Sequence, residues 1–309
     1  MDTFIQQIIN GLVLGSMYAL IALGYTMVYG VLNLINFAHG DVLMVGAMVG
    51  LTILKLLNIY APDLPGIVKL IISILGAIPA AIAVNVLIER VAYRPLRNAP
   101  RLAPLITAIG VSILVQTFAM MIWGRSPLVV PQILSSEPIA LGGAVISQTQ
   151  IMLLALAVMA MAGLVMLVEK TKLGRAMRAT AENPRVAGLM GVDANFVVVA
   201  TFAIGAALAA VAGVMWGANY SSIQFAMGFV PGLKAFSAAV LGGIGNIYGA
   251  MVGGIILGLI ESLGAGYIGQ LTGGFLGSHY QDIFAFVVLI IVLTIRPSGI
   301  MGERVADRA

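Results

Sequence analysis

A short polar stretch, "NLINFAHGD" at residues 33–41, interrupts a strongly apolar N-terminal region. Residues 4–31 carry no charged side chain, and after Asp41 the next one is Lys55. Ionisable groups in such a region are costly, and they often mark a path for polar solutes. Three interpretations are open. The stretch is a helix break whose polar groups line a substrate path and whose backbone strain Gly40 relieves, a cytoplasmic turn with Asp41 capping the next helix, or a His39–Asp41 proton relay.

A second polar break, "GGIGN" at residues 242–246, lies in the other half of the chain. The string "GAMVG" follows both breaks, at residues 46–50 and 249–253. Paired glycine-interrupted hydrophobic segments in corresponding halves indicate the binding region of a transporter. The predicted pathway residues are Asn33, Asn36, Phe37, His39, Gly40, Asp41, Gln116, Gly243, Gly245 and Asn246.

Three further polar residues lie in or beside apolar segments. For Glu261 two places are open, a helix end near the membrane interface or the pathway, and we expect the helix end. Asn85 and Glu89 are one helical turn apart, and we expect them to approach the cytoplasmic surface. There Glu89 can pair with the arginines of the following loop.

The segment 169–193 reads "EKTKLGRAMRATAENPRVAGLMGVD" and is basic, with small residues at regular places. Asn183 followed by Pro184 is typical of a helix cap with proline at the first helical position. We therefore predict one helix at 173–182 and a second at 184–190. Neither can span a membrane, and a compact helical pair on the cytoplasmic face is suited to docking a partner.

The composition and the lengths of the apolar segments predict which secondary-structure elements position these residues. The chain has 309 residues, 61% hydrophobic and 9% charged, whereas a soluble domain is about 25% charged. Eight apolar segments lie near 4–31, 42–57, 67–88, 102–122, 150–168, 194–217, 230–262 and 280–295. Because about 20 residues span a bilayer as a helix, we predict an all-α polytopic membrane protein with 8–10 transmembrane helices and re-entrant or broken segments.

The basic residues predict the orientation. They concentrate in the loop 88–101, in the loop 169–193 and in the C-terminal tail, which includes Arg296, Arg304 and Arg308. The positive-inside rule places these regions, and the C-terminus, in the cytoplasm. In this orientation the polypeptide chain comes to each break from the outer side of the membrane and returns towards the outer side after it. The glycine pairs Gly11–Gly15, 46–50 and 249–253 favour close helix packing.

No catalytic, cofactor-binding or metal-ligating set stands out. There is no cysteine, and the two histidines, His39 and His279, lie far apart in the sequence. ATP hydrolysis needs a glycine-rich phosphate loop ending in Gly-Lys, and this chain contains no Gly-Lys dipeptide. If ATP drives the protein, ATP and magnesium are therefore bound by partner subunits.

Several long strings carry a resemblance to a known family. They are "GLVLGSMYALIALGYTMVYGVLNLINFAHGD", "IERVAYRPLR", "LGRAMRATAENPRVAGLMGV" and "GLKAFSAAVLGGIG". The chain resembles the permease subunits of high-affinity ABC importers for branched-chain amino acids, from residue 1 to about 302. It departs from the general cytoplasmic "EAA" loop of ABC permeases in having Asn183-Pro184 where a longer polar run is usual.

The resemblance implies a single permease domain over residues 1–309 in the bacterial inner membrane. It also implies three kinds of partner besides lipid: a second homologous permease, two ABC ATPases, and a periplasmic binding protein that delivers leucine, isoleucine or valine. No nucleic acid is implied. The predicted ATPase-coupling residues are Gly174, Arg175, Arg178, Ala181, Glu182, Asn183, Ala187 and Gly188.

The sequence leaves three other functions open. A related ABC permease for another small solute shares the architecture. A secondary transporter would explain the breaks but not the ordered cytoplasmic helix pair. A membrane-embedded enzyme lacks any visible catalytic constellation.

Overall fold

The computed structural model describes residues 2–97, 99–100, 102–133, 138–141, 143–273 and 281–302. The helices in these ranges are α1 Asp2–Leu32, α2 His39–Tyr60, α3 Gly66–Ile88, α4 Leu102–Trp123, α5 Gln148–Lys170, α6 Lys172–Glu182, α7 Pro184–Leu189, α8 Ala194–Tyr220, α9 Phe229–Gly242, α10 Ile247–Leu271 and α11 Gln281–Ile295. A π-helical turn, Glu89–Tyr93, and a 3-10 turn, Arg94–Leu96, prolong α3. The strands are β1 Leu128–Val129, β2 Pro138–Leu141, β3 Ala144–Ser147 and β4 Ser222–Ile223.

The predicted all-α membrane architecture is confirmed. In the part of the chain that is described, seven helices are long and apolar enough to cross a membrane, and two shorter apolar helices accompany them at 229–242 and 286–295. The first apolar segment is one helix, α1, and not two short spans. The long segment 230–262 is divided between α9 and α10, because the residues between them leave helical geometry.

Glycines bring α1 and α10 into close contact. A Cβ atom on Gly15 would lie 2.8 Å from the Cα of Ile255, and one on Gly11 would lie 2.9 Å from the Cα of Leu259. On the α10 side of the same contact, a Cβ on Gly254 would lie 2.5 Å from the Cα of Ala19 in α1. Small residues let helix backbones approach closely in lipid, where hydrophobic burial gives no driving force between helices. The packing interpretation of Gly11 and Gly15 is therefore confirmed.

The other two predicted glycine pairs also serve packing. A Cβ on Gly46 in α2 would lie 2.5 Å from the Cα of Ala210 in α8. A Cβ on Gly253 in α10 would overlap the carbonyl oxygen of Ala238 in α9. Helices α1 and α8 are mostly buried in the protein, whereas α4 and α5 expose large apolar side chains such as Ile106, Phe118 and Met159. The outer helices therefore present the lipid-facing surface.

The basic loops gather at one end of the helix bundle, which we call the basic end. There Arg97, in the turns after α3, donates a 2.7 Å hydrogen bond to Asn195 at the start of α8. Loop 169–193, between α5 and α8, lies at the same end. Arg101, Arg304 and Arg308, which also supported the predicted orientation, lie outside the described residues.

The opposite end carries two small antiparallel sheets. Strand β1 pairs with β4, with Leu128 opposite Ile223. Strand β2 pairs with β3, with Ile139 opposite Ile146. Gln6 at the start of α1 joins this end, because its side chain donates to and accepts from the backbone of Val145 at 3.0 and 2.8 Å.

Candidate functional site

The first predicted break exists and occupies residues 33–38, between α1 and α2. Helix α1 ends at Leu32. The next residue, Asn33, has a φ of 52°, a left-handed conformation that asparagine tolerates better than most residues. The Asn33 amide still donates a 2.7 Å bond to the carbonyl of Tyr29. Helix α2 then begins at His39.

Amide side chains bind this irregular segment to its neighbours. The Asn36 amide donates to Asn85 Oδ1 at 3.4 Å, and the Tyr93 hydroxyl donates to Asn36 Oδ1 at 3.0 Å. Asn85 in turn donates a 2.7 Å bond to the carbonyl of Phe202 in α8. These polar side chains are buried, so their mutual bonds replace water and connect the break to α3 and α8.

The predicted pairing of Glu89 with the following loop is confirmed. Its carboxylate, buried at the end of α3, forms an ion pair with Arg97, whose side chain is 21% exposed. Because Arg97 also binds Asn195, the pair ties α3 to the start of α8 at the basic end. The expectation that Glu89 approaches this surface therefore agrees with the structure.

Asp41 does not cap α2, so that interpretation is wrong. The residue at the cap position is Ala38, and no side chain accepts the first helical amides. Asp41 lies in the first turn, where one oxygen accepts a 2.9 Å bond from the Gln116 amide of α4. The carboxylate is therefore used to hold α4 against α2, and the structure brings two of the predicted pathway residues together.

His39 is fully buried and offers no visible proton path. Neither ring nitrogen has a hydrogen-bond partner among the described residues. The ring lies against Gly24 and Gly205, and its centroid is 5.0 Å from that of Tyr25 in an edge-on arrangement. A relay needs a chain of donors and acceptors, which this ring does not join.

Gly40 is a glycine because of packing and not because of an unusual backbone. It lies inside the first turn of α2, where a Cβ would overlap the carbonyl of Gly228 and lie 3.0 Å from the Cα of Gly232. The expectation that Gly40 relieves a strained turn is wrong. Its absent side chain instead lets α2 cross the start of α9. Nearby, Phe37 packs on Phe236 of α9 with ring centroids 5.4 Å apart.

The second predicted break also exists and lies at the basic end. Gly243 and Gly245 have φ values of 110° and 95°, which L side chains rarely adopt. Asn246 caps α10 by accepting a 3.0 Å bond from the Gly249 amide. Its own amide donates to the carbonyl of Met301 at 2.9 Å, which connects the break to the C-terminal segment.

The ten predicted pathway residues are placed in and beside these two breaks. Asn36, His39, Gly40, Asp41 and Gly243 are buried, whereas Asn33 and Gly245 are exposed. Gly245 lines a cavity of about 80 Å³ that also contains Gly30, Arg178 and Ala181. The second break thus meets the predicted coupling helix, and a role in the substrate path stays a prediction.

The predicted helical pair in loop 169–193 is confirmed as α6 and α7. Thr171 caps α6 by accepting a 3.1 Å bond from the Gly174 amide, and the carbonyl of Val168 accepts from Arg178. A Cβ on Gly174 would overlap Val168, so a glycine is required where the chain turns sharply from α5 into α6. Gly174, Met177 and Thr180 form the buried face of α6.

Helix α7 exposes an apolar surface that the sequence interpretation missed. Asn183 caps it as predicted, by accepting bonds of 3.0 and 3.1 Å from the amides of Arg185 and Val186. The exposed fractions are 87% for Leu189 and 81% for Met190. We call the exposed group Val186, Leu189, Met190 and Phe196 the apolar knob.

The predicted coupling residues include both exposed and buried ones. Arg175, Arg178, Ala181, Glu182, Asn183 and Gly188 are exposed, but Ala187 and Gly174 are buried against the same chain. The string "VAGLM" at 186–190 was the available signal for the knob, because it is apolar inside a basic loop. Its outward direction depends on how α7 lies on α8.

Glu261 is not at a helix end, so that expectation is wrong. It lies inside α10, is 2% exposed, and pairs with Lys234 of α9 at 2.6 Å. The Tyr18 hydroxyl of α1 donates to its other oxygen at 3.0 Å. The sequence interpretation missed Lys234. The available signal was a pair of opposite charges, Lys234 and Glu261, within one apolar segment.

Known proteins match the chain along nearly its whole length. The family described as "Branched-chain amino acid transport system / permease component" matches residues 7–293. The high-affinity branched-chain amino acid transport system permease protein BraD of Pseudomonas aeruginosa is 44% identical over 308 residues, which cover 97% of this chain and 96% of that protein. LivH of Escherichia coli strain K12, which bears the same description, is 43% identical over 304 residues, with coverage of 97% and 96%. A probable branched-chain amino acid transport permease protein LivH of Methanocaldococcus jannaschii is 31% identical, with coverage of 96% and 92%.

Proposed function

Since the chain belongs to the family of branched-chain amino acid transport system permease components, we propose that it forms, with partners, the translocation pathway of an ATP-driven importer for leucine, isoleucine and valine. Residues 1–309 act as one permease domain in the bacterial inner membrane. The basic end and the C-terminus face the cytoplasm, in line with the positive-inside rule.

The helical pair α6–α7 is the observation that carries this proposal. A connector between two spans needs neither a capped helix pair nor an exposed apolar knob. Interfaces with partner proteins have apolar cores with polar rims. The segment that carries the knob also exposes Arg175, Glu182 and Arg185, so it combines apolar and charged groups in this way. The knob therefore supports docking of an ABC ATPase at the basic end.

Contacts behind the knob support transmission of movement. The buried face of α6 packs on α1, α5 and α8. Arg178 and Ala181 share a cavity with Gly245 of the second break and with Gly30 of α1. A displacement of α6 by an ATPase therefore acts directly on the break between α9 and α10.

The assignment defines the partners and the division of labour. Two ABC ATPases bind ATP and magnesium and supply energy, a second homologous permease completes the pathway, and a periplasmic binding protein delivers the amino acid. This chain binds no cofactor and is not an enzyme. We expect the rigorously purified chain to show no ATP hydrolysis, which an ATPase assay without partner subunits measures.

Reconstitution tests the proposal. The chain is placed in liposomes with the second permease, the ATPases and the binding protein, and uptake of labelled leucine is measured. We expect uptake to require the binding protein and also ATP on the side of the membrane that carries the ATPases. Uptake by this chain alone, driven by an ion gradient, would show a secondary transporter. Uptake of a different small solute in preference to leucine would assign the chain to a related importer.

A further inference from the structure

A buried ion pair between α9 and α10 is not used by the coupling mechanism. Lys234 and Glu261 have side chains 6% and 3% exposed, and their charged atoms are 2.6 Å apart. The ammonium also lies 5.8 Å from the ring centroid of Tyr18, whose hydroxyl binds the same carboxylate. Three helices, α1, α9 and α10, therefore meet at this pair.

The pair lies far from either end of α10. Glu261 is fourteen residues beyond Ile247, which at 1.5 Å per residue is about 21 Å along the helix axis. The hydrocarbon of a bilayer is about 30 Å thick. Charged side chains buried within membrane-spanning helices are rare, and they usually face a cavity or mark the path of a substrate. A purely structural clamp is a costly use of two charges.

The pair lies at the wall of a cavity of about 500 Å³. Lys234, Glu261 and Tyr18 line it together with mostly aromatic and aliphatic side chains, and Ser222 and Gln224 add two uncharged polar groups. Trp216 and Tyr220 stand side by side with ring centroids 4.7 Å apart. Ser222, beside β1, lies on the lining towards the end of the bundle opposite the basic end. Ligand pockets are usually apolar with a few convergent polar groups, and about 300–1,000 Å³ is their usual size.

An α-amino acid with an aliphatic side chain matches this lining. Its carboxylate and ammonium carry the same two charges as Glu261 and Lys234, so the zwitterion can make two complementary contacts without adding net charge to the cavity. Its side chain can pack against Trp216, Val230 and Met227. A simple amine or acid would meet one matching charge and one repelling charge.

We propose that this cavity, which we call the ion-pair cavity, is a binding site for a zwitterionic aliphatic amino acid during its passage. Lys234 binds the carboxylate and Glu261 the ammonium. The inference rests on the proposed import function, and it names the residues that recognise the substrate within the permease.

Protection from thiol labelling tests this site in the assembled importer. The chain has no cysteine, so Ser222→Cys places one thiol on the cavity lining, and Ser126→Cys places a control on an exposed residue outside it. Labelling of this chain is read by mass spectrometry, with and without trapped ATP analogue. We expect leucine to slow labelling at position 222 but not at 126. We also expect 3-methylbutylamine and 4-methylpentanoate, which lack one charge each, to protect far less.

A variant separates ligand binding from helix clamping. Glu261→Gln keeps the size of the side chain and its bond from Tyr18 but removes the partner of the substrate ammonium. We expect leucine protection to weaken at least about tenfold, the equivalent of about 1.4 kcal/mol, and leucine to lose its advantage over 4-methylpentanoate. A clamp alone would not change that discrimination.

The outcomes are distinguishable from those of the proposed function. Equal protection of the Ser222→Cys protein by leucine and both analogues, or no protection in either nucleotide state, would overturn the ion-pair cavity even if ATP-driven uptake is found. Unchanged discrimination when Glu261→Gln is added to Ser222→Cys would do the same. If that double variant does not assemble, the analogue series in the Ser222→Cys protein still decides. Absence of ATP-dependent uptake in the parent importer would instead count against the proposed function.

Discussion

At the scale of single residues, buried amides hold an irregular turn inside an apolar protein. Asn36 bonds to both Asn85 and Tyr93, and Asn85 also donates to the Phe202 carbonyl. In lipid-embedded protein, non-helical backbone is tolerated only where it is buried in protein or lines a cavity. The amides satisfy this requirement at the first break by replacing water with mutual bonds.

Asn85→Leu tests how much this network contributes. The change removes one donor and one acceptor at once, leaving the Phe202 carbonyl and the Asn36 amide without that partner in a buried site. Each unsatisfied buried group costs roughly 1–3 kcal/mol, so we expect a clear fall in thermal stability. Unfolding in detergent, followed by a scattering or dye assay, measures it.

Ala83→Leu is the matched control, because residue 83 is exposed on the same helix. We expect its melting temperature to stay within error of the parent value. An Asn85→Leu protein as stable as this control would show that the break is held by packing alone.

At the scale of elements, glycines decide which helices touch, because they have no side chain to keep two backbones apart. Glycine brings α1 to α10, α2 to α8, and the start of α2 to the start of α9. The same residue type acts differently in α7, where nothing lies within 4 Å of a Cβ added to Gly188. No other part of the described chain fills the space next to Gly188. In our proposal this position lies beside the apolar knob that meets an ATPase.

Gly188→Trp tests docking at this element. The folded chain has room for the ring, so we expect normal insertion and expression. At the interface the ring would clash, and single substitutions in a packed interface can cost about 2 kcal/mol or more, so we expect roughly a thirtyfold loss of ATPase association. Co-purification of the ATPases and ATP turnover stimulated by the binding protein measure the effect.

Gly110→Trp serves as the control, because Gly110 is exposed on α4 with equally open surroundings. We expect it to keep parent-like association. Parent values for Gly188→Trp as well would mean that α7 is only a connector. The charge reversal Glu182→Lys gives a second, independent measure of the same contact.

At the scale of the whole molecule, the fold separates two functional ends. The basic end holds both breaks, the ion pair of Glu89 with Arg97 and the α6–α7 pair. The opposite end holds the two small sheets, and the ion-pair cavity extends towards it. This polarity suits an importer that receives substrate at one face and energy at the other.

Side-specific labelling tests that polarity. Single cysteines replace Leu189 in the apolar knob and Ser126 near β1, both exposed. In intact cells we expect a membrane-impermeant thiol reagent to label position 126 and to leave position 189 unlabelled. Inverted vesicles should give the reverse. Labelling of both positions from the same side would refute the proposed topology.

The sequence by itself determined the class of fold, the positions of the spans and both breaks, and the capped helical pair at residues 172–189. These features depend on local properties: the length of an apolar run, a glycine that takes a positive φ, or Asn183 before Pro184. Membership of the permease family was likewise recognisable, because long strings carry it.

Only the tertiary structure decided what each polar residue contacts and which way each apolar one points. Asp41 reaches Gln116 instead of a helix cap, Glu261 finds Lys234, and Leu189 faces outward while Ala187 is buried. In a membrane protein an apolar side chain suits lipid and protein interior equally, so hydrophobicity does not tell a buried face from an exposed one. Those choices follow from which helices glycine allows to approach, and that is settled between segments far apart in the sequence.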